Sequence, residues 1–236
     1  MHILISPNAF KNSLTAEEAA MAISKGLMQS KLDCTCECFP IGDGGDGTAE
    51  LIIKKYRGEI VQASVHDPSG RKINASFGLI DDGKTAVIEM ANASGLRLLQ
   101  PEELNPLHAT SSGTGEQIKM ALDKGATKII IGMGGSATVD GGIGILKALG
   151  IRFLDDAGNE LSNLPANLIE LASVDISKLD ERILKSELIV LCDVDNILLG
   201  EKGAAAMFGA HGHAPDESCL LQSPGRTASG AGRSAG

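Results

Sequence analysis

The chain has 236 residues, 43% of them hydrophobic, enough for one large or two small packed domains. Its formal net charge is −9, aromatic residues make up 3% and tryptophan is absent. That balance excludes an electropositive nucleic-acid or anionic-membrane surface and a base-stacking platform, so no nucleic-acid or membrane partner is expected.

Residues 2–6 read as a buried strand. Thr15-Ala-Glu-Glu18 is a capping box, and Ala19, Ala20, Ile23 and Leu27 follow on one face, so a helix is predicted over 15–29. A second strand over 34–39 and a second helix over 48–56 complete a βαβα opening, which favours a parallel sheet. From Glu59 the period changes. Segments 60–65, 73–79 and 85–89 read as consecutive strands with turn signals at 67–70 and 81–83, suggesting a second domain from about residue 60. Helix 114–124, strand 128–131, helix 142–149, strand 151–154, helix 179–185, strand 188–194 and a short helix 203–208 complete the pattern. The stretch 223–236 has no apolar residue larger than alanine, so 209–236 is predicted to be an aberrant, disordered tail.

No apolar run approaches the ~20 residues that span a bilayer, and Met1–Ser6 is too short for a signal-peptide core. Five cysteines, an odd count, fit a reducing compartment, and a cytoplasmic location is expected. Cys34, Cys36 and Cys38 alternate along one strand face and read as small core residues. A zinc site would need a fourth ligand and different spacing.

Three segments combine glycine, hydroxyl and carboxylate: Gly42-Asp-Gly-Gly-Asp-Gly-Thr48, Thr110-Ser-Ser-Gly-Thr-Gly-Glu116 and Gly132-Met-Gly-Gly-Ser-Ala-Thr-Val-Asp-Gly-Gly142. Strand, glycine-rich turn, helix is the order that aims N–H groups and a helix N-terminus at an anion, and glycine lets the backbone approach it. Taken singly, each segment reads as an ordinary turn or N-cap. Three in one chain point to a site for a phosphorylated ligand.

Phosphoryl transfer asks for N–H groups around the phosphates, a cation, one or two carboxylates for Mg²⁺ and a base for the acceptor hydroxyl. Lys11 follows the first strand, Asp43 and Asp46 the second, and Asp193, Asp195 and Asn196 the last. These are carboxyl ends of predicted strands, where ligands of open α/β sheets gather. The candidate catalytic residues are therefore Asp193, Lys11 and Asp43. Gly44, Gly45, Ser112, Gly113, Thr114, Gly134, Gly135, Ser136 and Asn196 are the candidate substrate- and nucleotide-binding residues, and Asp46, Asp140 and Asp193 the candidate metal ligands.

Two motif matches compete. Gly78-Leu-Ile-Asp-Asp-Gly-Lys-Thr85 satisfies the P-loop pattern, but strand-like sequence flanks it on both sides and Asp82-Gly83 is a hairpin signal, leaving Lys84 a solvated turn lysine. Gly132–Ala137 fits a dinucleotide fingerprint, with Asp155 and Asp156 about 20 residues on. An NAD(P)-dependent oxidoreductase is therefore the alternative reading. A carboxylate in that loop disfavours a bare pyrophosphate and suits Mg²⁺.

Pro7-Asn-Ala-Phe-Lys-Asn-Ser-Leu-Thr-Ala16, the three glycine-rich segments and Cys192-Asp-Val-Asp-Asn196 together resemble the type 1 bacterial glycerate kinases, in order and spacing, through about Phe208. The resemblance implies ATP-dependent phosphorylation of D-glycerate with Mg²⁺, giving the 2-phospho isomer. It also implies an α/β fold in which a discontinuous Rossmann- or flavodoxin-like parallel-sheet domain, beginning with residues 1–60, carries a second, inserted mixed α/β domain over 61–208. Asn12 stands where the family has glycine and Ile197 where it has proline. After Phe208-Gly209 the family pattern gives way to Ala210-His-Gly-His-Ala214, which predicts a truncation or frameshift, and with it an inactive kinase remnant.

Overall fold

In the computed structural model the described residues are 1–10, 13–195, 197, 200, 203 and 204. Lys11, Asn196, Cys219, most of the predicted helix 203–208 and the tail 209–236 lie outside them. The fold is α/β with one parallel strand pair and a larger mixed sheet. Strands β1 (His2–Ile5) and β2 (Thr35–Cys38) pair in parallel, His2 opposite Thr35, with helix α1 (Ala16–Met28) as the crossover. The capping box forms as expected: Glu18 N–H donates to Thr15 Oγ1 at 3.2 Å and Thr15 N–H to Glu18 Oε2 at 2.8 Å. The Thr15 N–H, and the Thr15 hydroxyl at 2.9 Å, both donate to Glu18 Oε2 and hold that carboxyl below its usual range.

The expected burial of the three cysteines is not met: Cys34 and Cys36 are half-buried and Cys38 is exposed. The pair is only two strands wide. Helix α1 packs against it, with Cys38 Sγ 3.5 Å from the Ala20 carbonyl, while Leu4 of β1 is 58% exposed.

Helix α2 (Thr48–Lys55) packs on the larger sheet, setting Ala49 and Ile53 on Ile80 and Val87. Gly78 makes room, since a Cβ there would lie 2.2 Å from the Ile53 side chain. The chain thus reaches this sheet before residue 60. Strands β3 (Glu59–His66), β4 (Lys72–Ile80) and β5 (Thr85–Glu89) are an antiparallel meander. Val61, Ala63 and Val65 turn inward while Ile60, Gln62 and Ser64 face solvent, the period of two that marks a half-covered strand. Helices α3 (Ala91–Ser94) and α4 (Ser112–Asp123) lead into β6 (Lys128–Gly132), parallel to β5. Helix α5 (Ile143–Ala148), β7 (Arg152–Leu154) and β8 (Ser173–Asp175) precede β9 (Glu187–Leu191), which pairs in parallel with β6. The sheet order is β3-β4-β5-β6-β9. Every residue of β5 is buried, because α4 covers one face through Ile118, Ala121 and Leu122 and α2 covers the other.

The P-loop-like segment is the β4–β5 hairpin turn: Asp81, Asp82 and Gly83 have φ of 52°, 54° and 82°, and Thr85 Oγ1 donates to Asp81 Oδ2 at 2.7 Å. Two expectations need correction. The predicted helix 179–185 reduces to one 3₁₀ turn, Ile183–Lys185, because Asp180 Oδ1 accepts from the Arg182 N–H at 3.1 Å and from its guanidinium at 2.9 Å. Such side-chain turns compete with helix. The last strand ends at Leu191 rather than residue 194, and β7 pairs with a strand too short for periodicity to reveal, β8. No helix among the described residues is long and apolar enough to cross a membrane.

Candidate active site

The loops leaving β1, β2, β5, β6 and β9 at their carboxyl ends line one cleft of about 1040 Å³. Asn8 comes from the first, Asp43, Gly45 and Asp46 from the second, Arg97 from the third, Gly134, Gly135 and Ser136 from the fourth and Asp193 from the last. Asp43 is held in place: its Oδ1 accepts from the Gly45 N–H at 2.9 Å and its Oδ2 from Asn8 Nδ2 at 2.7 Å. The Gly45 amide first, then Asn8, keeps its carboxyl below the usual range despite some burial. Asp46 faces Arg97, Oδ1 to Nη1 at 3.4 Å. Asp193 is exposed in the cleft, two residues past β9 rather than on the strand.

The glycines serve chain-to-chain contact. Gly134 N–H donates to the Gly44 carbonyl at 2.9 Å, and a Cβ on Gly134 would lie 2.4 Å from Gly45 Cα. A Cβ on Gly44 would lie 2.7 Å from the Leu191 carbonyl oxygen. Close approach is needed here as expected, but between the loops after β2, β6 and β9. Gly44 N–H bonds Thr48 Oγ1 at 3.1 Å, so the amides of Gly44, Gly45 and Gly134 all have acceptors within the protein.

The expected helix N-termini are also occupied. At α2, the Gly47 and Ala49 N–H groups donate to Glu89 Oε1 and Oε2 at 2.9 and 3.2 Å. Burial pushes the Glu89 carboxyl above its usual range, the two amides and Arg97 oppose this, and the Asp46 charge adds to it. At α4 and α5, Asp140 is the acceptor, itself only 4% exposed. Its Oδ2 takes Ser111 N–H at 2.9 Å, Ser111 Oγ at 2.7 Å and Gly144 N–H at 3.1 Å, and its Oδ1 takes Gly142 N–H at 3.0 Å. Asp140 therefore clamps two helices, a structural role beside the metal-ligand role expected of it.

Ser112, Gly113 and Thr114 form the first turn of α4 and do not line the cleft. Thr114 is fully buried, its Oγ1 2.8 Å from Ser94 Oγ, and a Cβ on Gly113 would meet the His66 carbonyl at 1.9 Å. Lys11 and Asn196 lie outside the described residues. Asn8, Glu89 and Arg97 escaped the sequence reading. None sits in a glycine-rich segment, and each pairs with a residue remote in sequence; only Asn8, two residues past a predicted strand end, carried a positional signal.

The dinucleotide alternative fails on geometry. The fingerprint needs its third small residue at a helix start, whereas Ala137 lies in the loop and α5 begins at Ile143. Asp155 closes its own turn, accepting from the Ala157 and Asn159 amides at 2.9 and 2.8 Å, and β7 is not part of the five-stranded sheet.

Residues 3–222 match the glycerate kinase family, so the likeness continues past Phe208, where the sequence reading placed its end. Glycerate kinase from Bacillus subtilis strain 168 is 48% identical over 209 residues, covering 89% of this chain and 55% of that protein. Glycerate 2-kinase from Escherichia coli K12 is likewise 48% identical over 209 residues, again 89% and 55% of the two chains. The crystal structure of a Salmonella typhimurium LT2 protein assigned as glycerate kinase 2 superposes with a TM-score of 0.82 at 45% identity, covering 94% of this chain and 60% of that one. The chain spans a little over half the length of these curated relatives. By sequence match and by fold, it belongs to the glycerate kinase family.

Proposed function

We propose that the cleft is where the γ-phosphoryl group of ATP passes to a hydroxyl of D-glycerate, giving 2-phosphoglycerate. The observation that carries this reading is the delivery of Asp43, Asp46, Arg97, Ser136 and Asp193 to one cleft by four separate strand ends. The name of the Escherichia coli relative, glycerate 2-kinase, supports the 2-position. Phosphoryl transfer needs positioning and charge neutralisation more than covalent chemistry from the protein. Asp193, exposed at the cleft wall, accepts the proton of the attacking hydroxyl. Asp43, kept ionised by Gly45 and Asn8, is a poor base and a good fixed charge.

Among the described residues no three His, Cys, Asp or Glu side chains gather into a metal cage. A nucleotide-borne Mg²⁺ needs only one or two protein carboxylates, because phosphates and water complete its shell. Asp43 and Asp46 fit that demand and would hold the ion, which neutralises phosphate charge when bound. Gly135 and Ser136 stay as the loop positions for a phosphate, and Lys11 and Asn196 belong to the same reading by sequence position. The four free cysteines among the described residues accord with a cytoplasmic site of action, where ATP is held. The packing of α2 on β4 and β5 supports a junction between two units ahead of α2, with β1, α1 and β2 in the first.

The test is coupled ADP release with Mg-ATP and D-glycerate, with glycerol and NAD⁺ as controls. The kinase reading expects D-glycerate-dependent ADP release, against the inactive remnant that the break after Phe208 suggests, and Asp193→Asn lowers its rate by ~10² or more while leaving the melting temperature unchanged. Normal turnover in that variant, or ADP release indifferent to D-glycerate, defeats the assignment.

A further inference from the structure

The lining of the cleft is strongly acidic. Asp43, Asp46, Asp140 and Asp193 face it or close it, yet its proposed substrates are anions. Among the described lining residues the cationic side chains are Lys54 and Arg97. Lys54 is paired with Glu17 of α1. Arg97 is different. It sits in the 3₁₀ turn Leu96–Leu98, whose Leu96 N–H donates to the Gly135 carbonyl at 2.9 Å, and just ahead of the turn the Ser94 carbonyl at the end of α3 accepts from the Ala137 N–H at 2.9 Å. One guanidinium nitrogen donates to Asn92 Oδ1, and the other reaches Asp46 only at 3.4 Å, longer than a well-formed charged pair. A guanidinium has five donors, so most of the fork stays available, and the side chain is 50% exposed.

We propose that Arg97 is the specificity-determining residue that holds the carboxylate of the acceptor hydroxy acid. The inference rests on the kinase reading above. Its planar fork matches a carboxylate with two parallel bonds, which a lysine cannot do. Asn92 fixes the fork from behind, and Asp46 already offsets part of its charge. What is left suits a monoanion such as glycerate; the several charges of a triphosphate call for the carboxylate-held metal instead. Seated there, the acid is anchored at its carboxylate, and the 2-hydroxyl on the adjacent carbon is the group presented to Asp193, which lines the same cleft. An acceptor without a carboxylate has no anchor.

The test is calorimetric binding of D-glycerate, of glycerol and of ATP to the chain and to Arg97→Met and Arg97→Lys. The unaltered chain should bind D-glycerate and not glycerol. Arg97→Met should weaken D-glycerate by about 30-fold or more and leave ATP within about threefold, as expected for loss of a charge-assisted pair. Arg97→Lys, with the charge but not the fork, should keep the melting temperature and still lose about tenfold. If Arg97 merely holds the Asp46 loop, D-glycerate and ATP weaken together and the proposal is overturned. Loss of ATP affinity alone also overturns it, as does undiminished D-glycerate binding in Arg97→Met, and in that last case the kinase reading stands. Failure of the unaltered chain to bind D-glycerate removes both.

Discussion

The Gly42–Thr48 and Thr110–Glu116 segments both combine glycine, hydroxyl and carboxylate, and they do different things. The first follows β2 and brings Asp43, Gly45 and Asp46 to the wall of the cleft. The second disappears into the interior, where Ser111 and Thr114 are fully buried. A remote carboxylate occupies the helix N-terminus of both, Glu89 at α2 and Asp140 at α4, and what separates them is the carboxylates that only the first carries to the cleft. Asp140 comes up from the third glycine-rich segment and takes the Ser111 amide and hydroxyl, so that helix N-terminus faces protein. The first segment keeps its own Asp43 pointing outward, braced by Gly45 and Asn8. A loop recipe therefore states what a backbone can bind. Residues far away in sequence, Glu89 and Asp140, take up that backbone in both loops, and only the first loop is left with side chains facing a ligand.

Replacing the two carboxylates breaks the comparison most directly. Asp140→Ala strands four donors, three of them backbone amides, in a buried clamp. We expect a loss of about 3 kcal/mol or more in unfolding free energy, measured by urea denaturation, since each unsatisfied buried donor costs about 1–3 kcal/mol. Asp43→Ala, at an exposed site, should change stability by less than about 1 kcal/mol and abolish most ADP release. Equal stability losses in the two variants would mean that the loops are not different in kind.

Much of this architecture is legible in the sequence. The capping box at Thr15 and Glu18, the period of two along β3 and the Asp82-Gly83 turn are local patterns, and each forms where it was expected. Asp43, Asp46, Gly134, Gly135, Ser136 and Asp193 do meet at one cleft, because strand ends are readable and parallel strands put their carboxyl ends together. The roles of Asp140, Glu89 and Arg97 were not legible. Asp140 and Ser111 are 29 residues apart, Glu89 and Gly47 42 apart, and Asp46 and Arg97 51 apart. No periodicity reports a contact of that kind. The failed helix over 179–185 has a different cause, a side chain competing locally with the backbone at Asp180.

Glu89 sharpens the comparison from the cleft side, because it does for α2 what Asp140 does for α4 and α5, but with its carboxyl pushed up by burial. A carboxyl whose folded value is raised binds its proton more tightly in the folded chain. Its stabilising contribution is then full below the ordinary glutamate range and is lost as pH rises through the raised value. Glu89→Gln removes that titration. The stability difference between the native chain and the variant should shrink as pH goes from about 4 to about 7, read as unfolding free energies in one buffer series. A difference that grows with pH would show that Glu89 is stabilised as the anion, like Asp43.

The smallest expected effect belongs to Gly78–Thr85, the segment that matches a phosphate-binding pattern letter for letter. Gly78–Thr85 runs from β4 into β5 through three residues of positive φ, and no helix follows. Without a helix N-terminus there is no ring of amides to aim at a phosphate. Lys84 is exposed in the turn, its N–H closing back to the Asp81 carbonyl at 3.1 Å, and it does not line the cleft. Lys84→Ala should therefore move ATP affinity by less than about threefold and stability by under about 0.5 kcal/mol, as is usual for a surface change away from any site. A tenfold loss of ATP binding in that variant, measured by calorimetry beside Arg97→Met, would place the nucleotide at the hairpin and move the site away from the cleft altogether.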